Sequence, residues 1–371
     1  MDVKVTDDFR RSVLSGLGIP GPAAEELIEY NKNVFKFPER GNVIRLPLTD
    51  EAFVSDWIEY SQIIEKAHSF MALKDKLIEL NFPVVDGISK TPGYKATQEK
   101  GFEALERDAE EGLRLDAPEK IKIYLHQTIA GKIPVISVSE RDDFKSIVSA
   151  LTCRNEPVEL PASVGAFAIS GYKNRDRLAK ISGSFLFGKI PKELYQDKFI
   201  IISRGFYSGI APGKIGMTET EWLEKSMKIR IEHEAAHYVM ERLFGSMRKR
   251  LLDEIIADYM GITAVEKSYS ARLFLDFMGI DRGTLSETGK ARIEYYRGEL
   301  GDEAFNALKK LAELASLNIE TLDAEMRNHV KTRFHFMLAL SRLSVEEIAS
   351  GDCGRLLENA FRMNEQLMQY V

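Results

Sequence analysis

Two histidines spaced four residues apart, His233 and His237, constrain this chain more than any other feature. On an α-helix such residues lie on one face, one turn apart, so both imidazole rings can reach a single metal ion. Glu234 lies between them and can take a proton from a water on the open side of that ion. The alternative is an ordinary helix whose histidines happen to lie one turn apart, so the neighbouring sequence has to decide.

The sequence around the histidine pair predicts a long helix. Thr218 and Glu221 have the spacing of a capping box, in which Thr218 is the N-cap and Glu221 reaches back to it. Apolar residues recur at helical spacing from Trp222 to Phe244, and Gly245 is a typical C-terminal stop. The pair therefore lies inside a helix rather than in a loop.

A second predicted helix supplies a third ligand. Apolar residues over 251–260 recur at helical spacing, and a reversal between the two helices would make them antiparallel. Glu254 then faces His237, and Asp258 faces His233. Because a catalytic zinc ion usually has three protein ligands and one water, we predict Zn²⁺ as the cofactor and Glu254 as the third ligand. Asp258 is predicted to accept the free ring N–H of His233 and so to orient that ring.

These two segments together resemble a known family. His233-Glu-Ala-Ala-His237, followed after sixteen residues by Glu254-Ile-Ile-Ala-Asp258, is similar to the motifs of the gluzincin metallopeptidases, the thermolysin-like zinc enzymes. The roles that the resemblance implies are zinc ligand for His233, His237 and Glu254, catalytic base for Glu234, and support of the His233 ring for Asp258. It also implies a metalloprotease of endopeptidase or aminopeptidase type, whose substrate is a peptide or a protein.

The resemblance further implies an α+β fold of the zincin type, in which a small mixed β-sheet lies over the metal-binding helix and a helical lobe follows. Alternating or continuous apolar runs predict the strands, at 120–125, 133–138, 164–172 and 199–203. Helical spacing predicts further helices, within 6–31 and 50–80, and at 94–113, 270–278, 302–317, 321–342 and 355–369. The expected regions are a mostly helical 1–115, a β-containing lobe over 116–245 that ends in the histidine helix, and a helical lobe over 246–371.

Two other roles are implied by the resemblance alone. In zincins an antiparallel edge strand binds the extended substrate by β-augmentation; the candidate here is 164–169, with Ala166 and Phe167 nearest the bond that is cut. An internal strand in which Gly165 marks a bulge is an equally open alternative. In gluzincins a histidine or tyrosine of the C-terminal lobe stabilises the oxyanion. The candidates, each of which could instead be an ordinary packed or solvated residue, are Tyr295, Tyr296, His329 and His335.

Other parts of the sequence carry weaker signals. His68 and His126 have no acidic or histidine neighbour at ligand spacing and are interpreted as structural. The glycine-rich stretch 204–216 matches no phosphate-binding pattern, and we predict a loop that leads into the histidine helix. Tyr207 in this stretch is expected to line the cleft.

Composition narrows the class of protein. Of the 371 residues, 44% are hydrophobic and 29% are charged, which is typical of a globular protein. A net charge of −6 and the lack of a basic tail argue against a nucleic-acid partner. There is no apolar run of membrane-spanning length and no signal-peptide pattern. With Cys153 and Cys353 as the only cysteines, no disulfide framework is expected, so the predicted location is the cytoplasm, away from membranes.

Three functions stay open at this point. The first is an active zinc metallopeptidase. The second is a zinc hydrolase dedicated to a single, non-generic substrate. The third is a catalytically silent zincin-fold scaffold that binds a partner protein.

Overall fold

The chain folds into two compact units. The computed structural model describes residues 7–39, 42–105, 112–161, 163–182, 190–246, 250–280, 291–326 and 332–370. One unit comprises Met1–Pro47 together with Phe206–Val371, and we call it the discontinuous unit. The other comprises Leu48–Gly205, and we call it the inserted unit. The three regions expected from the sequence divide the chain differently, and that division stays a prediction.

The described residues form an α+β fold, whose elements are numbered here in chain order. The α-helices are α1 (Asp7–Gly16), α2 (Gly21–Tyr30), α3 (Val54–Ala67), α4 (Pro92–Lys100), α5 (Arg141–Thr152), α6 (Arg175–Ser182), α7 (Glu219–Phe244), α8 (Leu251–Val265), α9 (Ala271–Met278), α10 (Asp302–Met326), α11 (Arg333–Leu340), α12 (Val345–Ala349) and α13 (Cys353–Leu367). The strands are β1 (Ile44–Leu46), β2 (Lys122–Thr128), β3 (Gly131–Val138), β4 (Ala166–Lys173), β5 (Gln196–Ser203) and β6 (Met368–Tyr370).

A mixed four-stranded sheet, in the order β2-β3-β5-β4, forms the framework of the inserted unit. The β2–β3 and β4–β5 pairs are antiparallel, and the β3–β5 pair is parallel. All four strands predicted from the sequence are present. β4 lies at an edge of this sheet, with Ala166 opposite Ile202 and Phe167 opposite Ile201. Its irregularity lies between Ser170 and Tyr172, so the bulge suggested at Gly165 was wrong.

The core of the inserted unit follows from simple patterns. Phe199 to Ile202 on β5 are all buried, as expected for a central strand with both faces covered. In α3, Trp57, Tyr60 and Ile64 have the spacing of one helix face, and all three belong to the same core cluster as β5. The sheet and its helices therefore share one hydrophobic core.

The discontinuous unit is mainly helical, and a short parallel ladder joins its two chain segments. Residues Ile44–Leu46 of β1 pair in register with Met368–Tyr370 of β6. A buried ion pair also links the segments, because Arg10 Nε lies 3.2 Å from Glu346 Oε2. The N-terminal 47 residues thus fold against the C-terminal part of the chain.

Helix α7 begins and ends where the sequence predicts. Thr218 and Glu221 form the capping box, and Gly245 ends the helix in the left-handed region with a φ of 70°. Gly261 lets α8 approach α7 closely: a Cβ atom on Gly261 would lie 2.9 Å from Ile229 Cγ2 and 3.0 Å from the Ile229 carbonyl oxygen. Residues 247–249, which connect the helices, lie outside the described part of the chain.

Some helix predictions were wrong in their bounds. The helix predicted over 94–113 ends at Lys100, because Gly101 takes a φ of 76°. The helices predicted at 302–317 and 321–342 have different limits: α10 runs unbroken through Met326, and α11 begins at Arg333. No glycine or proline interrupts α10, so nothing in the sequence ends it at 317. Among the helices in the described ranges, none is both long enough and apolar enough to cross a membrane.

Candidate metal centre

Three buried side chains on α7 and α8 converge at one point. The Nε2 atoms of His233 and His237 are 3.2 Å apart. Glu254 brings Oε2 to 3.5 Å from His233 Nε2 and Oε1 to 3.6 Å from His237 Nε2. All three residues are buried, and together they form a group that could hold a metal ion. The antiparallel register predicted from the sequence therefore brings these three residues together.

The separations fit a tetrahedral zinc site. Zinc bonds of about 2.0–2.1 Å to nitrogen and oxygen place two ligand atoms roughly 3.3 Å apart at the tetrahedral angle. The two ring nitrogens lie 3.2 Å apart, His233 Nε2 lies 3.5 Å from Glu254 Oε2, and His237 Nε2 lies 3.6 Å from the other oxygen, Oε1. All three separations are near that value. Two imidazole nitrogens and one carboxylate also form a known catalytic ligand set, which leaves a fourth position for water. The residues present thus fit the predicted cofactor.

Glu234, between the two histidines, has a carboxylate oxygen with no partner. Its side chain is 8% exposed, and its Oε2 atom is buried without a hydrogen bond from any described residue. Burying a carboxylate oxygen without a hydrogen bond is unfavourable. Such an atom is free to accept a proton from a bound molecule.

Two residues hold the ring of His233 by its other nitrogen. Nδ1 of His233 lies 2.8 Å from Asp258 Oδ1 and 3.0 Å from the Tyr207 hydroxyl. The hydroxyl of Tyr207 itself donates to Asp258 Oδ1 at 2.6 Å. With Nδ1 as the donor to Asp258, the lone pair of His233 lies on Nε2, the atom that faces His237. The predicted partner, Asp258, is joined by Tyr207, which the sequence suggested only as a residue lining the cleft.

Arg292 completes the centre, and the sequence reasoning missed it. Its Nη2 donates to Glu254 Oε2 at 2.6 Å, and its Nη1 donates to Asp258 Oδ2 at 3.0 Å. It begins a short 3-10 helix, Arg292–Tyr296. Nothing in its local sequence indicates this role, since it is separated from Glu254 by 38 positions and belongs to no ligand motif.

The charges of the cluster govern its titration. Burial alone would raise the pKa of Glu254, but Arg292 and the two histidines lower it to about 2. The pKa of Asp258 is also lowered to about 2, because Arg292 and His233 outweigh its burial. Burial disfavours the charged form of His233, yet the neighbouring carboxylates of Asp258 and Glu254 raise its pKa overall. Both carboxylates are therefore ionised at neutral pH and available to a cation.

Comparison with known proteins assigns the chain to a family. Residues 12–352 match the sequence model of a family described as "Family of unknown function (DUF7005)". The chain belongs to this family. No curated protein and no solved structure matches the chain significantly.

The candidate oxyanion donors are not all at the centre of this DUF7005 chain. The hydroxyl of Tyr296 accepts a hydrogen bond of 3.4 Å from Nε of Arg292, whose Nη2 donates to Glu254. Tyr295 is 47% exposed, and His335 shares a hydrogen bond of 2.8 Å with Thr332. His329 lies outside the described residues. Tyr296 is thus the described candidate for which a contact with the cluster is observed.

The substrate-strand candidates belong to a different part of this DUF7005 chain. Ala166 and Phe167 lie on β4 of the inserted unit, whereas the histidines belong to the discontinuous unit. The position of β4 at a sheet edge agrees with the first half of the prediction. Substrate binding by this strand stays a prediction.

Proposed function

We propose that this protein is a zinc-dependent hydrolase of the gluzincin type, with a zincin-like fold, that cleaves peptide bonds. The observation that carries the proposal is the buried convergence of His233, His237 and Glu254 at tetrahedral spacing. A lone histidine pair on a helix would not need a carboxylate from a second helix. Glu234, on the same helix, adds the base that hydrolysis requires, since its buried Oε2 atom accepts no hydrogen bond from the described residues.

Each residue then has a defined part in the reaction. A zinc ion held by His233, His237 and Glu254 would supply a positive charge that polarises the substrate carbonyl and lowers the pKa of water towards neutrality. Glu234 accepts a proton from the attacking water and delivers it to the leaving amine. Asp258 and Tyr207 keep the proton of His233 on Nδ1, so that Nε2 remains a ligand.

Tyr296 is our candidate for the group that stabilises the oxyanion. Burial raises the pKa of its hydroxyl well above the ordinary value, so it is a hydrogen-bond donor at neutral pH. The hydroxyl accepts a hydrogen bond of 3.4 Å from Nε of Arg292, and Nη2 of Arg292 donates to Glu254. The hydroxyl therefore lies beside the cluster, where it can donate to charge that develops on a substrate.

The test measures zinc content and peptide cleavage in the purified protein and in Glu234→Gln. We expect close to one zinc ion per chain in both proteins, with cleavage reduced by about 10²–10⁴-fold in the variant. Glu224→Gln is the matched control, because Glu224 is an exposed glutamate on the same helix. It should cleave like the wild type.

Two results would contradict the proposal. One is a protein that binds no zinc, and the other is full activity in Glu234→Gln. Zinc binding without cleavage of any member of a broad peptide library would instead favour a hydrolase with a single substrate or a silent scaffold. A pulldown with Glu234→Gln separates these two, because a trapped substrate is expected only with the variant.

A further inference from the structure

Arg292 places a positive charge directly on a residue that we propose as a metal ligand. Its Nη2 atom lies 2.6 Å from Glu254 Oε2, closer than either histidine Nε2 atom lies to that carboxylate. The same guanidinium also binds Asp258. A cation and a metal ion therefore share Glu254, and the inference below rests on the metal-binding part of the proposed function.

The guanidinium is held from several sides. Nη1 donates to both carboxylate oxygens of Asp258, at 3.0 and 3.3 Å, and to the Tyr207 hydroxyl at 3.3 Å. Nε donates to the Tyr296 hydroxyl at 3.4 Å. The planar group also lies near the face of the Tyr207 ring, with Cζ 5.6 Å from its centroid. Several contacts on different sides thus hold the Arg292 side chain in the centre.

Arg292 compensates part of the negative charge of the buried carboxylates. Glu254 and Asp258 are 2% and 0% exposed, and two buried carboxylates without compensation strongly destabilise a fold. Arg292 reduces their combined charge from −2 to −1. It also occupies Oε2 of Glu254, which leaves Oε1 as the less encumbered oxygen for a metal ion.

We propose that Arg292 is a built-in counter-charge of the metal centre, which stabilises the folded chain before metal binds and weakens the binding of a divalent cation. Both effects follow from one interaction. A group that stabilises the metal-free protein more than the metal-bound protein lowers metal affinity by the same difference. The zinc ion of this protein is therefore exchangeable, whereas a site without the guanidinium would hold zinc more tightly and depend on it for folding.

The experiment compares Arg292→Met with Arg292→Lys in the full-length chain. Chelator-treated protein is titrated with zinc against a chromophoric competitor, and the melting temperature is measured with and without zinc. In Arg292→Met we expect a lower melting temperature without zinc, a larger increase on adding zinc, and a zinc dissociation constant at least about tenfold lower. Arg292→Lys keeps the charge but cannot reproduce both guanidinium contacts, so its dissociation constant should lie between those of the wild type and Arg292→Met.

Arg10→Met is the matched control. Arg10 also bridges a buried carboxylate of the discontinuous unit, that of Glu346, but it is not part of the metal centre. This variant should lose thermal stability without a change in zinc affinity. It separates a general effect of removing a buried arginine from an effect on the metal.

Weaker zinc binding in Arg292→Met would overturn the inference, because it would mean that Arg292 serves to position Glu254. The same conclusion follows if Arg292→Lys loses affinity. If Arg292→Met does not fold with or without zinc, the zinc affinity of Arg292→Lys alone tests the inference. If the wild type and all of the variants fail to bind zinc, both this inference and the proposed function are wrong. Zinc binding as expected without peptide cleavage contradicts only the proposed peptidase.

Discussion

Each unit contains a cluster of buried charged side chains, but the groups that surround the carboxylates differ between the two clusters. In the inserted unit, two hydrogen-bond donors and a guanidinium surround the carboxylate of Asp197. Its Oδ2 accepts hydrogen bonds from Trp57 Nε1 at 2.9 Å and from Asn174 Nδ2 at 2.7 Å. Its Oδ1 is in ion contact with the guanidinium of Arg177. The carboxylate is matched by groups of the chain itself.

In the discontinuous unit, atoms that can bind a metal ion face one another instead. The Nε2 atoms of His233 and His237 lie 3.2 Å apart, and a carboxylate of Glu254 lies beside both. Such a group is favourable only when a proton or a cation is shared among its members. Burial and charge alone therefore do not distinguish the two clusters, whereas the convergence of atoms that can bind a metal ion does.

Removal of a proposed metal ligand should have the largest effect on zinc affinity. We expect His237→Ala to weaken zinc binding by more than the roughly 10–100-fold that is typical for the loss of a supporting residue. Asp197→Asn should leave zinc affinity unchanged, since Asp197 belongs to the cluster of the inserted unit. Competition titration with a chromophoric chelator measures both. Equal losses in the two variants would show that the centre does not bind zinc specifically.

Loss of a donor in the inserted unit should reduce stability rather than metal binding. Arg177→Met leaves the buried carboxylate of Asp197 without its guanidinium, which should lower the free energy of unfolding by about 3–5 kcal/mol. Urea denaturation followed by circular dichroism measures this change. A variant as stable as the wild type would mean that Arg177 does not compensate Asp197.

The two cysteines report which unit is loosened, because each unit contains one. Cys153 lies in the inserted unit and is partly exposed. Cys353 lies in the discontinuous unit, where burial raises its thiol pKa to about 12. In Arg177→Met, alkylation of Cys153 should accelerate while Cys353 stays protected. Faster labelling of Cys353 alone would contradict a local effect.

Tyr207→Phe should have a smaller effect at the metal centre. The variant removes the hydroxyl that lies near Nδ1 of His233 and donates to Asp258. We expect zinc affinity to fall about tenfold, at the lower end of the range for supporting residues. An unchanged affinity would indicate that Asp258 orients the ring by itself.

The part of the pH dependence of stability that Asp197 contributes should be the smallest effect. Burial raises the pKa of Asp197 from 3.8 to about 6, although Arg177 and Asn174 act in the opposite direction. The folded chain therefore binds a proton here where the unfolded chain does not, and the free energy of unfolding increases as the pH falls through 6. From pH 7 to 5 the increase contributed by Asp197 is about 1 kcal/mol. Asp253, in the discontinuous unit, has a pKa raised to about 8, mainly by burial, and adds an increase of the same sign.

In Asp197→Asn the increase should be smaller by about 1 kcal/mol, and urea denaturation of both proteins at pH 5 and 7 measures the difference. Glu254 and Asp258, whose pKa values are lowered to about 2, act in the opposite direction, mainly below pH 5. The same pH dependence in Asp197→Asn as in the wild type would assign the effect to another group.

The sequence predicted what depends on local patterns. The capping box of Thr218, the stop at Gly245 and the facing of His233 with Asp258 all follow from helix geometry and a simple reversal. Arg292 could not be found in this way, because no spacing rule connects it to Glu254 across 38 positions. Its place is set by tertiary packing, and only coordinates reveal it.

The division into units was also beyond the sequence. Hydrophobic periodicity identifies helices and strands but does not indicate that residues 44–46 pair with residues 368–370. The predicted regions were contiguous, whereas one observed unit is assembled from both ends of the chain. Which segments associate depends on contacts between distant parts of the sequence.

The parallel ladder between β1 and β6 has a consequence for biosynthesis. During translation, β1 emerges long before β6, its partner in the ladder. The inserted unit is complete once residue 205 has left the ribosome, so it can fold first. The discontinuous unit, which carries the converging residues of α7 and α8, can complete its ladder only after residue 370 is made. Of the two units it is therefore the later to be completed.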